Sequence, residues 1–126
     1  MKRKIRVAFV YHPCKSLTNT YHFTTGYNFF MNALKRNKQI DISFIKSENI
    51  FDVKTINKNF DIVLLYENAN TGDTCVPETF TNIEKLELPV ISKVGDPQRA
   101  KEFSPEKYHE KYKINAYFGL THEDIF

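Results

Sequence analysis

Gly95-Asp96-Pro97-Gln98-Arg99 puts a backbone-permissive glycine, a carboxylate, a proline and a cation into five residues at the end of an apolar run. A carboxylate there can accept a proton or a hydroxyl hydrogen bond, and a guanidinium can meet a phosphate or carboxylate through two N–H donors. The same stretch also reads as a Gly-Asp-Pro turn, with Asp96 bonded to its own backbone and Arg99 in water. His12 directly follows the apolar run Ile5–Tyr11. It is a candidate base or hydrogen-bond donor, or simply a polar surface group. Thr25-Gly26, after Thr24, opens a helix whose free amides and dipole suit an anion. The other reading of that pair is an ordinary cap with a packing glycine. Glu67 closes a third apolar run and is a candidate polar wall.

Other chemistries fail on particular positions. There is no Gly-x-Gly-x-x-Gly, and the second strand ends in Lys46 rather than an acid, so a dinucleotide site of the usual kind is not expected. Cys14 lacks an arginine six residues on, where Thr20 stands, so it is no phosphatase nucleophile. A phosphoacceptor domain would need acids after strand one, an aspartate after strand three and a lysine after strand five. Those positions read Tyr11-His12, Glu67 and Thr121. Ser16–Thr20 lacks the glycine that lets amides crowd a phosphate. His22, His109 and His122 have no metal-ligand spacing with each other or with either cysteine, and no metal is expected.

The elements that must position these residues alternate. Apolar runs at Ile5–Tyr11, Ile40–Ile45, Asp61–Tyr66, Leu88–Val94 and Asn115–Gly119 are separated by helix-compatible stretches. That pattern implies parallel strands with crossover helices. The first helix follows Thr25 and carries Phe29, Phe30, Ala33 and Leu34 as an apolar stripe. A short helix is expected over Phe51–Phe60. Another starts at Pro77 and turns Phe80, Ile83 and Leu86 inward, and a last one runs from Ser104-Pro105-Glu106 to about Lys113. The expected architecture is a doubly wound, Rossmann-like three-layer sandwich. Its five-stranded parallel sheet has the order 3-2-1-4-5 and helices on both faces. Strands one and four would then flank a crevice walled by Tyr11–Gly26 and Gly95–Arg99, and ligands in such sheets bind outside the strands' carboxyl ends.

Composition limits the partners. The 126 residues form one domain, 41% hydrophobic and 26% charged, with a formal charge of +3. That balance is ordinary for a globular chain and far from a dedicated nucleic-acid binder. Two cysteines make no disulfide framework, and neither a signal peptide nor a membrane-length apolar run is present. A cytoplasmic location is expected, compatible with peripheral membrane association.

With these residues in view, the chain resembles the N-terminal half of GT-B-fold glycosyltransferases, near the spore-maturation and capsule or surface-glycan enzymes. The likeness rests on Ile5–Tyr11 with its polar loop and the helix opening at Thr25-Gly26, and on Ala33-Leu34-Lys35-Arg36-Asn37 leading into Ile40–Phe44. It also rests on Leu88-Pro89-Val90-Ile91 running into Gly95-Asp96-Pro97-Gln98-Arg99, and on Ala116-Tyr117-Phe118 with Thr121. Gln98 stands where histidine is common in such proteins. The resemblance implies an acceptor-side domain of a longer, two-domain enzyme. That enzyme would move sugar from a nucleotide-sugar co-substrate to a glycan or surface acceptor, with no other cofactor, and this domain alone would be inactive. Asp96 and His12 would serve catalysis, and Thr25, Gly26, Gly95, Arg99 and Glu67 would contact substrate. The alternative is a stand-alone Rossmann-like or flavodoxin-like module that binds a small anionic ligand without catalysis.

Overall fold

Val7, Ala8, Phe9, Val10 and Tyr11 are all buried, so the strand β1 (Ile5–Tyr11) must be covered on both faces and paired on both sides. The computed structural model describes residues 3–12, 29–66, 76–93 and 105–118, with backbone alone at 29–32 and 105–108. In it β1 pairs in parallel with β2 (Ile40–Lys46) along its whole length, from Ile5 opposite Ile40 to Tyr11 opposite Lys46. On its other side it pairs in parallel with β4 (Ile62–Tyr66), where Phe9 faces Leu64. Beyond β4 lie β6 (Val90–Lys93) and β7 (Ala116–Phe118), both parallel. The protein is therefore α/β, with a five-stranded all-parallel sheet in the order β2-β1-β4-β6-β7.

The expected neighbours of the first and second, and of the fourth and fifth, main strands are present. The third is placed differently: β4 lies between β1 and β6 rather than beyond β2, so β1 and β6 do not touch. The reason is a charge cluster at the strand heads. Arg3 donates to both carboxylate oxygens of Asp61, at 2.8 and 3.1 Å. The Arg6 amide donates to Asp61 Oδ2 at 2.8 Å, its Nε and Nη2 reach the same carboxylate, and the Asp61 amide donates back to Arg6 O. The two guanidiniums, Arg6 foremost, hold the Asp61 carboxyl well below the usual carboxylate range. Asp61 thus fixes the start of β4 beside β1.

The helix α1 (Phe29–Arg36) covers one face of the sheet and ends in Lys35 and Arg36, which complement its negative end. Leu34 packs against the cluster formed by Val7, Phe9, Tyr11, Leu64 and Tyr66, whereas Ala33, expected in the same stripe, is exposed. The opposite face buries Ala8, Val10, Val63, Leu65 and Val90. Its cover is not two further helices. The stretch expected to be helical over Phe51–Phe60 forms a strand, β3 (Ile50–Asp52), and a 3₁₀ turn, Val53–Ile56. The stretch after Pro77 forms β5 (Thr79–Thr81) and a second 3₁₀ turn, Ile83–Lys85. Val53 and Ile56, three apart, suit a 3₁₀ turn as well as an α-helix, and Thr79 and Thr81 are β-branched. Asn82, at φ 62°, then stops the strand in the left-handed region.

These two crossovers run side by side as a parallel two-stranded sheet, Phe51 opposite Phe80. Polar side chains lace them together. Asn49 accepts from the Glu78 amide and donates to its carboxylate, Asn82 donates to Asp52, and Asn57 donates to Lys85 O while accepting from the Glu87 amide. The helix α2 (Pro105–Tyr112) completes this layer. Its Tyr112 hydroxyl donates to Pro77 O at 2.6 Å and its ring meets Phe80 edge-on at 5.0 Å.

Candidate functional site

The carboxyl ends of the main strands bring together Lys46 and Ser47 after β2, Tyr11 and His12 after β1, Tyr66 on β4, Lys93 on β6 and Phe118 on β7. In this strand order the chain reverses direction across the sheet between β1 and β4, and that reversal is where open α/β sheets place a ligand. The expected crevice between strands one and four is therefore corrected to one between β1 and β4. Its first wall ends in His12. Its second continues, in sequence, from Tyr66 to Glu67.

His12 is half-buried, and its Nδ1 lies 3.2 Å from Ser47 O. A carbonyl oxygen only accepts, so Nδ1 carries the proton in this contact. The neutral ring then has its lone pair on Nε2. Ser47 is itself fixed, donating its amide to Tyr11 O at 2.8 Å and its hydroxyl to Glu48 O at 2.7 Å. The tautomer of His12 is thus set by the pairing of β1 with β2.

Near the same edge, on the face covered by α1, lies an aromatic cluster. Phe9, fully buried, meets Tyr11 edge-on at 6.1 Å, Phe44 at 5.4 Å and Tyr66 at 6.3 Å. Burial raises the Tyr11 phenol above its ordinary value, so it remains a neutral hydroxyl at physiological pH. Lys93 is buried to 7% exposure with its ammonium 4.4 Å from the centre of the Tyr66 ring.

No family model, curated protein or solved structure matches the chain.

Of the expected site residues, His12 is placed at the carboxyl edge. Asp96, Gly95, Arg99, Thr25, Gly26 and Glu67 lie outside the described residues. Lys93 was not singled out in the sequence, although Ser92-Lys93 interrupts an otherwise apolar strand between Ile91 and Val94. That interruption was the available signal. Among the described residues no group of three His, Cys, Asp or Glu side chains could hold a metal, and no helix is long and apolar enough to cross a membrane. Among the described residues, two open grooves lie near the amino ends of the strands. One of about 450 Å³ is lined by Lys54, Lys58, Glu84 and Glu87 among others, and one of about 390 Å³ by Arg3, Lys4, Ile5, Lys38 and Gln39. Neither contains a residue of the expected site, and the first mixes both charge signs so that it favours no one ligand.

Proposed function

We propose that the chain is the acceptor-side domain of a two-domain glycosyltransferase, with the donor's nucleotide held by a second domain that closes over the carboxyl edge. The observation that supports this reading is His12, held at the topological switch point with Nδ1–H on Ser47 O and its lone pair on Nε2. Such a group can take the proton of an acceptor hydroxyl. As that oxygen bonds to the donor's anomeric carbon, the bond from this carbon to the phosphate oxygen breaks and the nucleoside diphosphate leaves with the electron pair. On this reading Asp96 orients the hydroxyl, and Thr25, Gly26, Gly95, Arg99 and Glu67 contact the substrates. The nucleotide sugar is a co-substrate, and the enzyme works at the cytoplasmic side, free or in peripheral contact with a membrane.

One wall of a cleft buries little of a donor, whereas ligand sites generally enclose ~70–90% of their ligand. Amide shifts of residues 1–126 are therefore expected to move at His12, Ser47, Tyr66 and Lys93 on titration with acceptor oligosaccharides. UDP- and GDP-sugars are expected to bind weakly at best by calorimetry. Micromolar nucleotide-sugar binding to this chain, or shifts confined to the Lys4 and Lys38 end, would overturn the reading. In the two-domain enzyme, His12→Gln is expected to lower kcat by about 10²–10⁴ with KM little changed.

A further inference from the structure

We propose that the groove at the amino ends of β1 and β2 is a binding site for a small soluble anion that carries phosphate. It lies at the end of the sheet opposite His12 and does not depend on any sugar transfer.

The groove, of about 390 Å³, is lined by Arg3, Lys4, Ile5, Lys38 and Gln39. Three of these residues are cations and none is an acid. Basic residues at the end of a helix are ordinarily explained by its dipole, and Lys35 and Arg36 in the last turn of α1 are. That effect falls off within the last turn, so it does not account for Lys38, and Lys4 belongs to a different segment. Among the described residues, the side chains of Lys4 and Lys38 have no ion-pair or hydrogen-bond partner.

The backbone holds these charges together. The Ile5 amide donates to Gln39 O at 3.1 Å, which ties the residue after Lys4 to the residue after Lys38. The Gln39 amide donates to Asn37 Oδ1 at 2.8 Å, so the turn that carries Lys38 is fixed as well. Arg3 is fixed through its two bonds to Asp61. Asp61 does not neutralise this end, because Arg6 shares the same carboxylate. Asp41 stands opposite Arg6 in the register of β1 with β2. Arg3, Lys4, Arg6 and Lys38 thus share two carboxylates, and like charges held close repel. An anion between Lys4 and Lys38 offsets that repulsion through charge-assisted hydrogen bonds, and walls already fixed need little ordering to receive it.

Shape and charge select the ligand. A groove of this volume falls in the ~300–1,000 Å³ range of small-molecule sites, whereas a flat bilayer surface cannot follow a concave wall. A phosphate group carries about −1.5 to −2 charge and three strong acceptor oxygens. It can therefore meet ammoniums from both segments at once, where a carboxylate has one charge and two oxygens.

The test titrates the 126-residue chain with pyrophosphate at low ionic strength and follows amide shifts. Saturating shifts at Lys4, Ile5, Lys38 and Gln39 are expected, with Kd about 0.1–1 mM and weaker binding as sodium chloride is raised. Both lysines are exposed, so Lys4→Gln with Lys38→Gln should fold and melt at or above the parent. That double variant is expected to weaken binding about tenfold or more. Lys54→Gln with Lys58→Gln, in the groove of mixed charge, is expected to leave it unchanged. No saturation by about 10 mM, or equal binding by the first double variant, would overturn the proposal. Equal losses from both double variants would also overturn it, as a diffuse response to net charge. So would sedimentation with phosphatidylglycerol vesicles without pyrophosphate saturation, which would make the surface a membrane contact. None of these failures touches the transferase reading, which is tested with oligosaccharides at the opposite edge, and the failure of that reading leaves this groove as it is.

Discussion

The two faces of the central sheet are closed by different means. Under β3, β5 and α2 the core is mostly aliphatic, built from Ala8, Val10, Val63, Leu65 and Val90 with Val53, Ile56 and Leu86. The polar groups laced over it are used reciprocally by the fold: Asn49 with Glu78, Asp52 with Asn82, Asn57 with the backbone of Lys85 and Glu87. Under α1 the core is largely aromatic, and it includes two buried tyrosines and a buried lysine near the carboxyl edge. The contrast teaches where to look for function. Polar groups that lace two crossovers together are accounted for by folding, whereas the aromatic face runs up to the strand ends that hold the candidate site.

The comparison can be broken hardest at Phe9, the centre of the aromatic face. Phe9→Ala is expected to cost about 3–5 kcal/mol in urea unfolding, because the fully buried ring supports Phe44, Tyr11 and Tyr66 together. On the other face the corresponding weak point is Tyr112. Tyr112→Phe keeps the ring against Phe80 but leaves the Pro77 carbonyl without its 2.6 Å donor, at about 1–2 kcal/mol. Burial, with the nearby Glu78 charge, pushes the Tyr112 phenol up to about 12. A raised value means that the folded state favours the protonated phenol. Its stabilisation is complete below the ordinary value of about 10 and is lost as pH rises through about 12. Ultraviolet titration of the phenolate should show one late step that Tyr112→Phe removes.

A smaller effect is expected from Asn57→Ala. It unlaces the two 3₁₀ turns but exposes the freed groups to water, at about 0.5–1 kcal/mol. Asp61→Asn is the control for the comparison, since it loosens the heads of β1 and β4 and so both faces alike. At neutral pH it should lower the melting midpoint by a few degrees. The Asp61 carboxyl is depressed when folded, so its stabilisation is present above the ordinary value near 4. It is lost as pH falls through the lower folded value. The gap between parent and Asp61→Asn melting curves should therefore close in acid.

Much of this fold was legible in the residues themselves. The apolar run Ile5–Tyr11 is β1 to the residue, and α2 begins at Pro105, as a first-turn proline suggests. Strand order was not legible from hydrophobic runs, because each of them fits any interior position of a parallel sheet. The information sat instead in Arg3, Arg6 and Asp61, polar residues 55 and 58 positions apart whose pairing no local pattern announces. The crossovers were misread as helices because Val53, Ile56, Ile83 and Leu86 recur at three-residue spacing, which does not separate a 3₁₀ turn from an α-helix. At the candidate site, position after a strand was enough to mark His12. Lys93 was passed over because a cation near the end of an apolar strand is ordinarily a solvated one.

The placement of β1 between β2 and β4 also matters during synthesis. Of the strands of this sheet, the first to be synthesised is one that needs two partners, and the second of them ends at Tyr66. At 5–20 residues per second, roughly 3–11 s separate the synthesis of Tyr11 from that of Tyr66. Through that interval Val7–Tyr11 has an open edge, and the face that β3, β5 and α2 later cover stays bare. Nascent chains halted before residue 62 should accordingly be cut by protease within this strand and held by chaperones, and chains extended past β6 should resist both.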